Sequence, residues 1–130
     1  QVYKGVLDKS SRGVFQGKIH VREGAQKTDG HQLSRALLLS NRAEIDAKPE
    51  LEIYADDVRC SHGASVGELD SESLFYLMSR GITFDEARRI LIEAFVSEAL
   101  SEIRLDQVAE DFSAHIRNWL QANINFSELA

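Results

Sequence analysis

The hydrophobic period of this chain changes once, at Gly67, and no single regular element satisfies both sides of the change. Before it, apolar residues fall on alternate positions, the two-residue period of a strand. Phe15, Gly17, Ile19 and Val21 alternate with Val14, Gln16, Lys18 and His20. Leu37 and Leu39 repeat the pattern, as do Ala43, Ile45 and Ala47, then Leu51, Ile53 and Ala55. Val58, Cys60, His62, Ala64 and Val66 form a last row. Parity flips between Ala55 and Val58, which predicts a turn or bulge at Asp56-Asp57. Gly13, Gly24, Gly30, Asn41 and the Lys48-Pro49 pair are expected to mark the other strand boundaries. The polar stretch Glu23 to Gln32, which holds His31, is expected to be the longest loop of this half. Short strands without a hairpin dipeptide at every link suit a coiled β-solenoid better than a meander, with a sandwich as the alternative.

After Gly67 the period is helical. Asp70 is suited to cap a helix over about Ser71 to Arg80, with Leu74, Leu77 and Met78 on one face and Gly81 as its stop. Thr83-Phe84-Asp85-Glu86 reads as a capping box opening a second helix that ends near Arg104. Its apolar stripe is Ala87, Ile90, Leu91, Ala94 and Phe95. A third helix, about Gln107 to Gln121, carries Val108, Phe112, Ile116, Trp119 and Leu120, and the tail from Asn123 to Ala130 is expected to fray. Residues 1–67 and 68–130 therefore read as a β portion and a small helical domain.

Bulk properties exclude several functions. A formal charge of −6 argues against nucleic-acid and anionic-membrane surfaces, which need clustered Lys and Arg. No apolar run approaches the roughly 20 residues that span a bilayer. Cys60 is the one cysteine, so no intrachain disulfide forms and a cytoplasmic, reducing location is expected. The opening Gln1-Val2-Tyr3 lacks an initiator Met and starts in strand-like sequence, which is expected of a piece of a longer protein.

Cys60 and His62 are the residues that bear chemistry. One residue apart on a strand, they share a face with Cα atoms roughly 6–7 Å apart. A thiolate and an imidazole so placed suit iron or a cluster edge, but two ligands do not complete a site. A strand Cys is also a common buried hydrophobe, and a nearby His is commonly just hydrogen-bonded. The same pair reads as a cysteine nucleophile with its base, though a third orienting group and an oxyanion pocket are not apparent. Asp56 and Asp57 point to opposite faces and suit a turn, not acid–base work. His20, His31 and His115 show no metal-site spacing.

Three runs carry a family likeness: Arg12-Gly-Val-Phe-Gln-Gly-Lys-Ile-His-Val21, Gln32-Leu-Ser-Arg-Ala-Leu-Leu-Leu-Ser40, and Lys48-Pro-Glu-Leu-Glu-Ile-Tyr-Ala-Asp-Asp-Val-Arg-Cys-Ser-His-Gly-Ala-Ser-Val-Gly67. They resemble the end of the core domain of the SufB/SufD family, and Leu74-Phe-Tyr-Leu-Met-Ser-Arg-Gly-Ile82 resembles that family's first C-terminal helix. The likeness covers about residues 3 to 100, and Cys60-Ser61-His62-Gly63 looks like the SufD branch. The resemblance implies a right-handed parallel β-helix followed by a small helical domain. It implies a non-catalytic scaffold for iron–sulfur cluster assembly, pairing with a SufB-like paralogue through the β-helix and docking a SufC-like ATPase through the helices. His62, supported by Cys60, would then face a nascent cluster shared with the paralogue. The chain itself would hold no cofactor stably. Phe75, Tyr76, Phe84, Arg88 and Ile92 are the candidate ATPase dock, apolar helix faces being core first and partner surface second. A β-solenoid interaction module that self-associates, for example as a homodimer, through its open strand edges is the remaining alternative.

Overall fold

The computed structural model describes residues 1–123 and divides into two compact units, Gln1–Gly67 and Glu68 onward. The expected fraying from Asn123 to Ala130 lies outside the described residues apart from the helical backbone of Asn123.

The first unit holds strands β1 (Val2–Leu7), β2 (Arg12–Val21), β3 (Asp29–Leu38), β4 (Glu44–Ile53) and β5 (Arg59–Gly67). They form two parallel sheets filled in alternation, β1-β3-β5 and β2-β4. The chain thus returns to each sheet one strand further along. Side chains meet between the sheets: the Tyr3 and Phe15 ring centroids are 4.8 Å apart, and Leu7 and Ala43 pack with Ala36. Gly13 is needed at this approach, because a Cβ there would stand 2.9 Å from a Leu7 methyl. The faces turned away from this interior carry charge pairs such as Arg12–Asp46 (2.5 Å) and Lys18–Glu52 (2.6 Å). The Glu52 hydrogen bond holds the Lys18 ammonium above its ordinary pKa.

Several boundaries differ from those expected. Gly13 and Gly30 do mark the starts of β2 and β3, each as the second residue of its strand, but His31 stands in β3, not in a loop. Lys48-Pro49 lies in the middle of β4. β4 is an edge strand paired only with β2, so a residue without an N–H is tolerated on its unpaired side. The expected turn at Asp56-Asp57 is present between β4 and β5. It stacks on the preceding loop, where Lys27 N–H donates to the Asp57 carbonyl (2.6 Å) and Asp57 N–H donates to Gln26 Oε1 (2.8 Å).

The second unit contains α1 (Ser71–Ser79), α2 (Phe84–Leu100) and α3 (Asp106–Asn123), with α1 against α2 and α2 against α3. Asp70 caps α1 by accepting the Ser73 N–H at 2.8 Å. Gly81, at φ +88°, closes it: Gly81 N–H donates to Met78 O and Ile82 N–H to Leu77 O, the paired bonds of a Schellman motif. Thr83 Oγ1 caps α2 through the Glu86 N–H, but the Glu86 carboxylate binds Arg89 and does not complete the box. α2 stops at Leu100, short of Arg104; the Ser101 hydroxyl donates back to Glu98 O, a local bond that competes with helix continuation.

The Ser73 hydrogen bonds hold the Asp70 carboxyl below its ordinary pKa. A depressed folded-state pKa contributes stability above the unfolded value, near 3.9, and that contribution is lost as pH falls through the folded value. We expect acid titration to fray α1 in that range and Asp70→Asn to remove this part of the pH dependence while keeping the cap. Far-UV circular dichroism with amide exchange at residues 71–75 is the check.

Candidate functional site at the last strand

In a parallel ladder, residues in register present their side chains to the same face. Gly30, Gln32, Ser34 and Ala36 of β3 pair with Cys60, His62, Ala64 and Val66 of β5. Gln32, Ser34 and Ala36 are buried between the sheets, so Cys60 and His62 belong to the interior row, on β5, the edge strand of this sheet among the described residues. The two are treated differently. Cys60 is half-buried, its Sγ 3.8 Å from where a Cβ at Gly30 would stand, with an Ile19 methyl at 3.6 Å from the same point. His62 is exposed. The fold therefore places Cys60 in a packing position and His62 in an accessible one.

Beneath His62 in the row lies Gln32, 3% exposed, and beneath that Gln1. The Gln32 carboxamide crosses to sheet β2-β4 and lies against Gly17, where any Cβ would collide with it. Its Nε2 donates to Gln1 Oε1 (3.3 Å), while its Oε1 is buried without a partner among the described residues. Sequence reasoning missed Gln32, because its only signal is a register partner 30 positions away.

The remaining polar candidates are engaged otherwise. The Asp57 carboxylate binds Lys27. His31 lies between Ser61 Oγ (2.6 Å) and Asp29 Oδ1 (2.7 Å), outside the interior row. The His20 ring meets Tyr54 edge-on at 5.5 Å. Among the described residues no group of three or more His, Cys, Asp or Glu converges as a metal cage.

In the helical unit the five dock candidates separate into two layers. Phe75, Tyr76 and Phe84 are exposed, Phe75 by 74%, whereas Arg88 and Ile92 are buried at 5% and 0%. The Arg88 guanidinium sits 5.5 Å from the centroid of Phe84, supporting that ring from below. Arg88 and Ile92 thus hold the surface up and do not form it. α1 has no buried residue at all, and a groove between α1 and α2 is lined by Tyr76, Leu77, Ile90 and Leu91 with Asp70 and Glu72 at its rim. Phe112 and Trp119 of α3 are also about half exposed.

Fold and site together define a two-sheet parallel-β protein with a helical unit, whose accessible imidazole stands on its last strand. The chain matches the family described as SUF system FeS cluster assembly, SufBD core domain, over residues 1–95. It is 45% identical over 116 residues to the iron-sulfur cluster assembly protein SufD of Escherichia coli, covering 89% of this chain and 27% of that protein. It is 47% identical over 105 residues to an iron-sulfur cluster assembly SufBD family protein of Synechocystis (81% and 23% covered) and 40% identical over 121 residues to the chloroplastic protein ABCI7 of Arabidopsis thaliana (92% and 26%). This chain belongs to the SufB/SufD family of the SUF iron–sulfur cluster assembly system. It spans about a quarter of the length of these relatives. No helix among the described residues is long and apolar enough to cross a membrane.

Proposed function

We propose that the chain is part of a SufD-type scaffold subunit, acting without catalysis of its own in the cytoplasm or an equivalent compartment. The alternating parallel sheets are then the last turns of a right-handed β-helix. Through that portion the subunit pairs with a SufB-like paralogue, and His62 faces the nascent iron–sulfur cluster, the cargo of the complex, with Cys60 packing beside it. A single imidazole does not hold a cluster, so the other ligands come from the paralogue. The helical unit docks a SufC-like ATPase through the exposed ring surface of Phe75, Tyr76 and Phe84.

The observation that carries this reading is the family match running through β5 and α1 into α2, joined to an α1 that buries none of its residues. Aromatic side chains left exposed on a helix suit an interface centre. The reading of Cys60 as an enzyme nucleophile is disfavoured by the half-buried position of its thiol beside Gly30. Titration calorimetry of the whole protein against a purified SufC-type ATPase tests the dock. Phe75→Ala together with Tyr76→Ala is expected to weaken binding by at least 2 kcal/mol, about thirtyfold, with the fold intact. Unchanged affinity would sink the dock and leave association through strand edges as the interaction this region supports.

A further inference from the structure

We infer that the groove between α1 and α2 takes a cationic amphipathic helix, with its apolar stripe on the groove floor and its Lys or Arg residues along the rim. The groove has a volume of about 470 Å³ and an apolar floor of Leu77, Ile90 and Leu91. A second hollow of about 510 Å³ adjoins it along Phe75 and Ser79, and Glu72 and Tyr76 line both. Two packed helices with an open apolar seam accept a third helix by ridge-into-groove packing. The charge of the unit then selects which helix. Residues 68–130 hold 12 Asp and Glu against 5 Arg and no Lys, whereas residues 1–67 hold 9 against 10. The helical unit therefore carries the whole net negative charge of the chain. Its arginines are largely engaged within it: Arg88 is buried beneath Phe84, Arg89 binds Glu86 and Glu93, and Arg117 reaches Glu93 at 3.7 Å.

A helix with acidic flanks would meet like charge along this rim, whereas Lys or Arg meets opposite charge, which speeds encounter and rejects the wrong partner. The rim also sets direction. Glu72 stands near the start of α1, while the Arg80 guanidinium lies 4.9 Å from the Tyr76 ring centroid at its end. The cationic end of the docked helix thus lies over the N-terminal turn of α1. The inference rests on the dock reading above only for the partner's identity, the cationic helix being then the ATPase's own.

The test uses the whole protein and two synthetic helical peptides of about 18 residues that share one leucine stripe, the first flanked by Lys and the second by Glu. Calorimetry at about 50 mM salt is expected to show the Lys peptide binding at least about tenfold more tightly, a preference that shrinks several-fold at about 500 mM as screening shortens. Glu72→Lys and Tyr76→Ala are each expected to weaken the Lys peptide about tenfold, and Glu72→Gln about threefold. Glu110→Lys, the same charge change on α3, is expected to weaken it less than about twofold. Equal affinity for the two peptides would overturn the inference. So would a loss with Glu110→Lys as large as with Glu72→Lys, which shows only general attraction to an acidic protein. Titrating the purified ATPase against the same variants keeps the two readings apart. ATPase binding weakened by Tyr76→Ala but indifferent to Glu72→Lys and to salt refutes the charge pairing and keeps the dock. A Lys peptide held in the groove, with ATPase binding indifferent to both substitutions, supports the charge pairing and refutes the dock alone.

Discussion

Ile92→Ala is expected to lower the stability of the helical unit by about 2–5 kcal/mol, the cost of emptying a filled core site in a unit that cannot collapse around it. The buried apolar residues of this unit among those described are Ala87, Ile92 and Leu120, of which Ile92 is 0% and Leu120 2% exposed. Ile92 stands on the face of α2 that must meet its neighbours, so its loss removes contacts that no exposed side chain nearby can replace. For a unit of this size each kcal/mol displaces the melting midpoint by roughly 4–8 °C, so the expected drop is about 8–40 °C. Differential scanning calorimetry followed by helical circular dichroism would show it. Phe75→Ala is the matched control: a residue 74% exposed is expected to change stability by less than about 0.5 kcal/mol. Equal effects from the two substitutions would refute the division into a supporting layer and a docking layer.

In the whole assembly complex, His62→Ala is expected to reduce cluster formation at least tenfold while leaving the melting midpoint within the scatter of a surface change. The physical basis is the exposure of the ring on β5, an edge strand of its sheet among the described residues: on the proposed reading, truncation removes a ligand without opening a cavity. Cys60→Ser is expected to behave the other way. Its half-buried sulfur stands beside Gly30, so exchange for a more strongly hydrated hydroxyl is expected to cost some packing stability and to affect assembly less. Iron and sulfide incorporation read by visible absorbance, with thermal unfolding in parallel, separates the two effects. Assembly that proceeds normally with His62→Ala would remove this residue from the cluster site and transfer the role to the paralogue. His62→Cys retaining part of the activity would support ligation over a steric role, because thiolate is an accepted cluster ligand.

What was legible in the sequence is what short-range chemistry controls. The change of period at Gly67, the Asp70 and Thr83 caps and the Gly81 stop each depend on residues within one helical turn or one strand alternation. All of these are present. The helix faces were less legible. The expected α2 stripe was Ala87, Ile90, Leu91, Ala94 and Phe95, but the buried set is Ala87, Arg88 and Ile92. α2 packs against both α1 and α3, so two neighbours, and not one stripe, decide which side is covered.

Register was decided only by the tertiary structure. Pairing across 30 residues, as for Gln32 with His62, depends on how the intervening loops and β4 bring the strands level, and no local preference encodes that alignment. The same holds for Pro49: its missing N–H argues for a boundary until the pairing shows its strand at a sheet edge, where the lost hydrogen bond has no partner to lose. The sequence by itself determined that the chain is a β portion followed by capped helices, with a Cys-x-His pair on the last strand. Packing determined that Cys60 is part of the wall, that His62 is open, and that a buried amide stands beneath it, because burial and register are properties of neighbours that the chain brings together only on folding.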